Sequence, residues 1–194
     1  MRSQGREIGA LSMIFVGVDP GLHGAVAWID GERKLVEMRD CPLGPGGKYD
    51  KAAMSRLIGE IVRVDRATVP VVVLEGNHPI PRAFGNEAGG FVRGGVASFE
   101  LGRGGGIWEG ILAAFGLDPQ MPRPSDWKRE ILGWCPKGKL ASVEQAKRLF
   151  PDARICSQLY GPRGGIIDGR AEALLLAELG RRKWRLTGKS REIA

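Results

Sequence analysis

The chain has 194 residues, a length that fits one domain with its own hydrophobic core, and its 43% hydrophobic and 26% charged content are those of an ordinary soluble globular protein. No apolar run approaches the roughly 18 residues that span a bilayer, and the three cysteines follow no metal-binding or disulfide spacing, which argues against a membrane protein, a zinc site and a disulfide framework. The formal net charge of +7 is what a protein that binds a polyanion would carry, although many soluble proteins are mildly basic.

The first part of the chain predicts a strand meander, a helix and a further strand. Turn-forming Pro-Gly and Asp-Gly pairs favour antiparallel pairing of three short strands, at 14–19, 24–29 and 34–39. Residues 50–65 have apolar residues at helical spacing, and Asp50 is a candidate N-cap. The strand at 70–75 is reached through that helix, which favours parallel pairing with the first strand.

The second part of the chain is predicted to be mostly helical. A Gly-, Pro- and Asn-rich segment at 76–95 is predicted as a mobile loop, 118–123 as an extended piece and 156–167 as a Gly-rich loop. Ser125 is a candidate helix cap. The predicted helices are 96–116, 126–133, 141–150 and 168–184. We expect one domain over 13–185, with a polar leader at 1–12 and a basic tail at 186–194 that are both flexible.

Two apolar strands run directly into a carboxylate. Asp19 follows the first strand, and Glu75 follows the strand at 70–75. Core strands rarely end in acids without a reason, because burying a charge costs free energy. Each acid also has an ordinary explanation, since Asp19 is a turn former in Asp-Pro-Gly and Glu75 would be satisfied by a basic neighbour.

Two more acids lie in the first turn of the last predicted helix. At about 100° per residue, Asp168, Glu172 and Leu175 fall on one narrow face. We therefore expect both acids on the core-facing side, with Glu178 and Arg182 on the solvated side. An N-cap Asp with a first-turn acid is also a common arrangement by itself, because the helix dipole favours negative charge there.

Together the four acids predict one site for a hard divalent cation. Carboxylates that lie close together without a cation repel one another, and their pKa values rise. Mg²⁺ relieves that repulsion, prefers oxygen ligands and supports phosphoryl transfer.

An ordered set of short stretches resembles the RuvC family of Holliday junction resolvases, and its bacteriophage branch most of all. The resemblance covers about residues 13–185. It is carried by VGVDPG at 16–21, VLE at 73–75, DGRAEALL at 168–175, FELGRG at 99–104, PSDWK at 124–128, GK at 138–139 and LFP at 149–151. Cellular members of the family usually have two acids three residues apart in the last helix, the second being Asp, whereas Asp168 and Glu172 are four apart.

The resemblance implies an α/β, RNase H-like fold, with a five-stranded mixed β-sheet (an antiparallel meander plus parallel strands) flanked by α-helices. It implies a crossover junction endodeoxyribonuclease that cuts four-way junctions by paired symmetric nicks and leaves 5′-phosphate and 3′-hydroxyl ends. Two Mg²⁺ or Mn²⁺ ions would be held at each site by Asp19, Glu75, Asp168 and Glu172. One ion would hold the attacking water and the other would stabilise the leaving 3′ oxygen.

The resemblance also implies a homodimer, because a four-way junction needs two symmetric nicks. The partner would be branched DNA, with no membrane and no nucleotide cofactor, and the location would be the cytoplasm, that of a bacterial host cell if the chain is phage-encoded. The helix at 96–116, predicted to end before Gly116, contains five glycines that cost helix stability, which indicates close approach of its backbone to DNA or to a partner helix.

Basic and aromatic residues in the middle of the chain are candidates for DNA contact, although solvated surface charge explains many basic residues equally well. Exposed aromatic residues such as Phe84 and Phe91 would stack on unpaired bases, or else they belong to the core. The candidates are Arg82, Phe84, Arg93, Arg103, Lys128, Arg129, Lys137 and Lys139.

Three alternatives stay open. An actin-like or sugar-kinase-like ATP-binding fold shares the early strands and an Asp-x-Gly element, but that class normally needs a duplicated domain and more than 194 residues. A second alternative is a junction- or branched-DNA-binding protein with weak or absent cleavage, because Glu172 departs from the commoner Asp. A third is a nuclease that prefers flaps or replication forks.

Overall fold

The computed structural model describes residues 13–32, 34–64, 70–76, 95–133 and 139–188. Four strands form one mixed sheet in the order β3-β2-β1-β4. The strands β1 and β2 and the strands β2 and β3 pair antiparallel, whereas β1 and β4 pair parallel. The strands are β1 Ile14–Val18, β2 Ala25–Asp30, β3 Leu35–Asp40 and β4 Val71–Leu74. The predicted meander and the predicted parallel fourth strand are therefore confirmed.

The described part of the chain has six α-helices beside the sheet, and the five predicted ones are confirmed to within a few residues. They are α1 Lys51–Val64, α2 Gly95–Ala114, α3 Pro124–Leu132, α4 Lys139–Leu149, α5 Ala153–Gln158 and α6 Asp168–Gly188. The Asp50 carboxylate accepts a hydrogen bond from the Ala53 N–H at 3.0 Å, as a cap of α1 should. Among the described residues, no helix is both long and apolar enough to cross a membrane.

Two local predictions, a helix cap and a loop, were wrong. Ser125 does not cap α3, because the helix begins one residue earlier, at Pro124, whose fixed φ suits the first helical position. The predicted loop at 156–167 overlaps α5, which is capped by the Asp152 carboxylate through the Arg154 N–H at 2.7 Å.

The predicted fifth strand is also wrong: the described sheet has four. The segment 118–123 does lie beside β4, and the Gln120 backbone exchanges hydrogen bonds of 2.9 Å with Val72 and Leu74. Pairing there is limited to one isolated bridge. The Pro122 carbonyl still accepts from the Gly76 N–H at 2.9 Å, but Pro122 has no N–H to donate to β4, which explains why the segment does not continue as a strand.

The helix α6 is the centre of the molecule. It contacts β1, β2 and β4 on one side, and it also packs against α3 and α4. Gly17 of β1 allows the closest approach, because a Cβ there would overlap the backbone oxygen of Ala173 in α6. Helix and strand therefore pack backbone to backbone, which fixes where the first turn of α6 lies relative to the end of β1.

The expectation that Glu178 lies on the solvated side of α6 was wrong, because its side chain is fully buried. The Arg181 guanidinium donates to it at 2.6 and 2.9 Å, and Arg182 donates at 2.8 Å. These two arginines supply the charge-assisted hydrogen bonds without which a buried carboxylate is strongly destabilising.

Candidate active site

The first two predicted site acids follow strands that end side by side. Val18, the last residue of β1, lies opposite Leu74, the last residue of β4. The Glu75 N–H donates to the Val18 carbonyl at 2.9 Å, so the parallel pairing continues to the acids themselves. Asp19 and Glu75 are therefore brought together at one edge of the sheet, as predicted.

The turn after Asp19 folds tightly over this edge. The Gly21 N–H donates to Asp19 Oδ1 at 3.1 Å, which fixes the direction of the carboxylate. A Cβ at Gly24 would overlap the Asp19 backbone oxygen, and a Cβ at Gly169 would overlap the His23 carbonyl. The two glycines therefore allow the first turn of α6 to dock on the turn that contains Asp19.

Glu172, one turn into α6, accepts two hydrogen bonds through one oxygen. Lys128 Nζ lies 2.7 Å from Glu172 Oε1, and Ser142 Oγ donates to the same oxygen at 3.1 Å. The side chain is only 19% exposed. Residues from α3 and α4 thus hold a carboxylate of α6 in a partly buried position.

Glu75 is held from the same helix α3. The indole N–H of Trp127 donates to Glu75 Oε1 at 2.9 Å, and Lys128 Nζ lies 4.0 Å from that oxygen. Trp127 is fully buried, and its ring also lies 5.1 Å from the Lys128 ammonium. Two consecutive residues of α3 therefore contact the two glutamates, and the ammonium contacts both.

The electrostatics show that three of the acids share one environment. Burial, followed by the nearby Glu75 and Glu172 carboxylates, raises the pKa of the Asp19 carboxyl to about 7. The Gly21 N–H and the Lys128 ammonium oppose it. Burial disfavours the charge of Lys128, but Glu172, Glu75 and Asp19 together raise its pKa above the usual value. Lys128 is thus the positive charge within a cluster of negative ones.

The chemistry of this donor set fits a hard divalent cation, because it consists of carboxylate oxygens whose mutual repulsion a cation would relieve. The spatial arrangement is not that of a closed metal cage. Within the ranges that the structure describes, no three His, Cys, Asp or Glu side chains stand in metal-binding geometry. The Lys128 ammonium, bonded to Glu172, occupies a place where it neutralises the acids.

Asp168, the fourth predicted acid, begins α6 and is partly buried. Its neighbour Gly169 packs on the turn after Asp19. In the described part of the chain, the Lys128 ammonium that contacts Glu75 and Glu172 forms no ion pair with Asp168. The structure therefore brings together Asp19, Glu75 and Glu172, and it leaves Asp168 at the margin of that cluster.

The candidates for DNA contact fall in different places. Arg129 is exposed and pairs with Asp126 at 3.2 Å, and Arg103 pairs with Glu100 at 3.3 Å. Lys128 lies within the acidic cluster. The side chain of Lys139 is not described. The other candidates and Phe91 lie outside the described residues: Arg82, Phe84, Arg93 and Lys137.

Sequence reasoning missed the residues that hold the glutamates. Trp127 belongs to the PSDWK stretch, but nothing in its spacing shows that its N–H faces Glu75. Ser142 lies in no motif. Arg170, beside Asp168, forms a two-bond ion pair with Asp40 at 2.6 and 2.7 Å, which ties the start of α6 to the end of β3.

Two solved structures that share the fold of this chain are of RuvC from Thermus thermophilus. The structure titled "T. thermophilus RuvC in complex with Holliday junction substrate" matches with a TM-score of 0.55 at 13% identity, over 91% of this chain and 97% of that one. A second Thermus thermophilus RuvC structure matches with a TM-score of 0.53 at 18% identity, over the same shares of the two chains. No protein-family model and no curated protein sequence matches the chain. These similarities establish a shared fold.

Proposed function

We propose that this chain is a metal-dependent endonuclease of the RuvC family that resolves four-way DNA junctions. One observation carries the proposal: Asp19, Glu75 and Glu172 converge at the ends of β1 and β4 and in the first turn of α6. The shared fold supports it, since one of the neighbouring proteins was solved with a Holliday junction substrate. The sequence stretches that resemble the bacteriophage branch support a phage origin for this chain. A phage-encoded protein of this kind would act in the cytoplasm of the bacterial host.

In this proposal, Asp19, Glu75, Glu172 and Asp168 would hold Mg²⁺ or Mn²⁺. When bound, such cations would polarise the phosphodiester and make a water molecule more nucleophilic. The chain supplies position and charge. Gly21 fixes the direction of the Asp19 carboxylate through its N–H, and the docking of α6 on the neighbouring turn sets Glu172 beside it.

Lys128 has two uses in the proposed site. Its ammonium, 2.7 Å from Glu172 and 4.0 Å from Glu75, offsets the repulsion among the acids. Its side chain is 36% exposed, so it is also accessible to a DNA phosphate that approaches the cluster. The predicted phosphate contact therefore remains part of the proposal, with charge compensation added to it.

Substrate choice tests the proposed function. In Mg²⁺, a synthetic four-way junction should be nicked at two symmetric positions much faster than linear duplex, a flap or a fork of the same sequence. Faster cutting of flaps or forks would show that the third alternative is right. Tight junction binding without nicks would favour the junction-binding alternative, which draws support from the bond between Lys128 and Glu172. Equal cutting of linear duplex would contradict resolvase activity.

The two-fold dimer that paired nicking needs has a candidate surface on α2. Gly104 faces inward, where a Cβ would overlap the Tyr49 hydroxyl and the Pro20 carbonyl. Gly102, Gly106 and Gly110 lie four residues apart on the outside, and a Cβ at any of them would meet no described atom within 4 Å. Residues four apart share one face of a helix, and small side chains at a contact shorten the distance between two helix axes, so we propose α2 as the dimer helix.

Replacing Gly106 by Arg is expected to convert the proposed dimer to a monomer, because the long charged side chain would project from the centre of the glycine face. Light scattering coupled to size exclusion would measure the molar mass. The control is Ala52→Arg, which places the same charge on an exposed position of α1. A dimer that survives Gly106→Arg would show that α2 is not the interface, whereas a monomeric wild type at micromolar concentration would contradict the dimer itself.

A further inference from the structure

We infer that Trp127 and Ser142 are positioning residues, which orient the Glu75 and Glu172 carboxylates for a cation through one neutral hydrogen bond each. This inference rests on the proposed function, because it assigns the two donors a purpose in the same site. It concerns side chains that touch neither DNA nor a metal in the proposal. They act through the carboxylates that they hold.

The bond from Trp127 to Glu75 is built into the core. Trp127 is fully buried, with a relative exposure of 0%, and its indole N–H donates to Glu75 Oε1 at 2.9 Å. A ring that is packed on all sides has one orientation, so the direction of its N–H is fixed before any ligand arrives. The carboxylate at the end of β4 is thereby held by a rigid donor.

The bond from Ser142 to Glu172 comes from a second helix. Ser142 is 3% exposed, and its hydroxyl lies 3.1 Å from Glu172 Oε1. The helices that carry the two donors are fastened together, because the buried Gln145 amide of α4 donates to the Ile131 carbonyl of α3 at 2.6 Å. The pair α3 and α4 therefore acts as one frame that holds acids of two other elements.

A partner for the indole N–H is not a general requirement of burial in this protein. Trp28, in β2, is buried at 2% exposure, and within the described structure its N–H has no hydrogen-bond partner. Trp127 differs in that its N–H reaches the oxygen of a site acid. Hydrogen bonds that orient carboxylate ligands from outside are a common requirement of metal sites, and their loss weakens metal affinity or activity by about 10- to 100-fold.

The test measures metal binding apart from catalysis. Mn²⁺ is titrated into the full-length protein without DNA and its free concentration is followed by electron paramagnetic resonance; single-turnover junction cleavage is then measured against Mg²⁺ concentration. We expect Trp127→Phe and Ser142→Ala each to weaken Mn²⁺ binding about tenfold or more, and to raise the half-saturating Mg²⁺ concentration by a similar factor. At saturating Mg²⁺, much of the cleavage rate should return.

Matched controls separate positioning from packing. Trp28→Phe removes the same N–H from another buried ring, and Ser125→Ala removes an exposed hydroxyl from α3. Both controls should leave the Mn²⁺ titration within about twofold of the wild type. Ser142→Ala deletes a single oxygen, so it keeps the inference testable if thermal unfolding shows that Trp127→Phe is badly destabilised.

Two outcomes would overturn the inference. One is a Ser142→Ala protein and a folded Trp127→Phe protein that both titrate like the wild type; the other is a Trp28→Phe protein that loses as much metal affinity as Trp127→Phe. Failure of the proposed function looks different. If the wild type binds Mn²⁺ but cuts no junction, the proposed nuclease activity is wrong, and the Mn²⁺ titrations of the variants still test the positioning roles. If the wild type binds no Mn²⁺, both proposals are wrong.

Discussion

Replacing Asp19 by Asn is expected to reduce junction cleavage by at least about a thousandfold while junction binding survives. A cation at a phosphoryl-transfer site contributes several kcal/mol, and each 1.36 kcal/mol is a factor of ten in rate. Asn keeps the shape of Asp, and its amide oxygen would still accept the Gly21 N–H that now bonds Asp19 Oδ1 at 3.1 Å. It loses the negative charge that a cation requires. Cleavage would be measured under single-turnover conditions and binding by gel shift.

The folded state should tolerate this substitution well. Burial and the neighbouring glutamates already raise the pKa of Asp19 to about 7, which shows that a charge there is unfavourable without a cation. The metal-free variant should therefore unfold at the wild-type temperature or above it. Asp50→Asn is the matched control, because it changes a capping carboxylate of α1 that Asn replaces equally well. If Asp19→Asn cuts junctions at the wild-type rate, the assignment of Asp19 to the active site is wrong.

Replacing Gly17 by Ala is expected to have the largest effect on stability, about 3 kcal/mol or more, because overpacking against backbone cannot be relieved by a rotamer change. A Cβ at Gly17 would overlap backbone atoms of Ala173 and Ala177 in α6. The helix would have to move away from the sheet. For a protein of this size, such a loss lowers the midpoint of thermal unfolding by about 6 to 12 °C.

The control for this substitution is Gly44→Ala. Gly44 has a negative φ of −90°, and a Cβ there would meet its nearest described neighbours at 3.9 Å. The free energy of unfolding of Gly44→Ala should stay within about 0.5 kcal/mol of the wild-type value. Circular dichroism scans of both variants decide the matter: equal stability of Gly17→Ala and wild type would show that β1 and α6 do not pack backbone to backbone.

The sheet edge that carries the site was predictable from local patterns. An apolar run that ends in a carboxylate marks a strand end, and a helix between two strands makes their pairing parallel, which sets Asp19 beside Glu75. The direction of Glu172 followed from helical periodicity, because one turn brings it onto the face of Leu175 and Leu179, both of which are fully buried. These features depend on neighbours in sequence or on one strand pairing.

The frame around the site was not predictable, since it depends on how separate helices pack. The sequence does not show which way the Trp127 ring points. It also does not show that the Ser142 and Lys128 side chains both contact Glu172. Glu178 was misplaced because it is fully buried in ion pairs with Arg181 and Arg182 of its own helix, which periodicity alone does not show. The implied strand count of five was wrong, and the segment 118–123 that lies beside β4 lacks the Pro122 N–H that would extend the ladder.

The most direct test of the whole account is the metal dependence of junction cleavage. The wild type is mixed with a four-way junction in EDTA, and Mg²⁺ or Mn²⁺ is then added in steps while the products are resolved on a denaturing gel. We expect no product in EDTA, and symmetric nicks with 5′-phosphate and 3′-hydroxyl ends once the cation is in excess. Cleavage at full rate in EDTA would contradict the assignment of Asp19, Glu75 and Glu172 as a cation site.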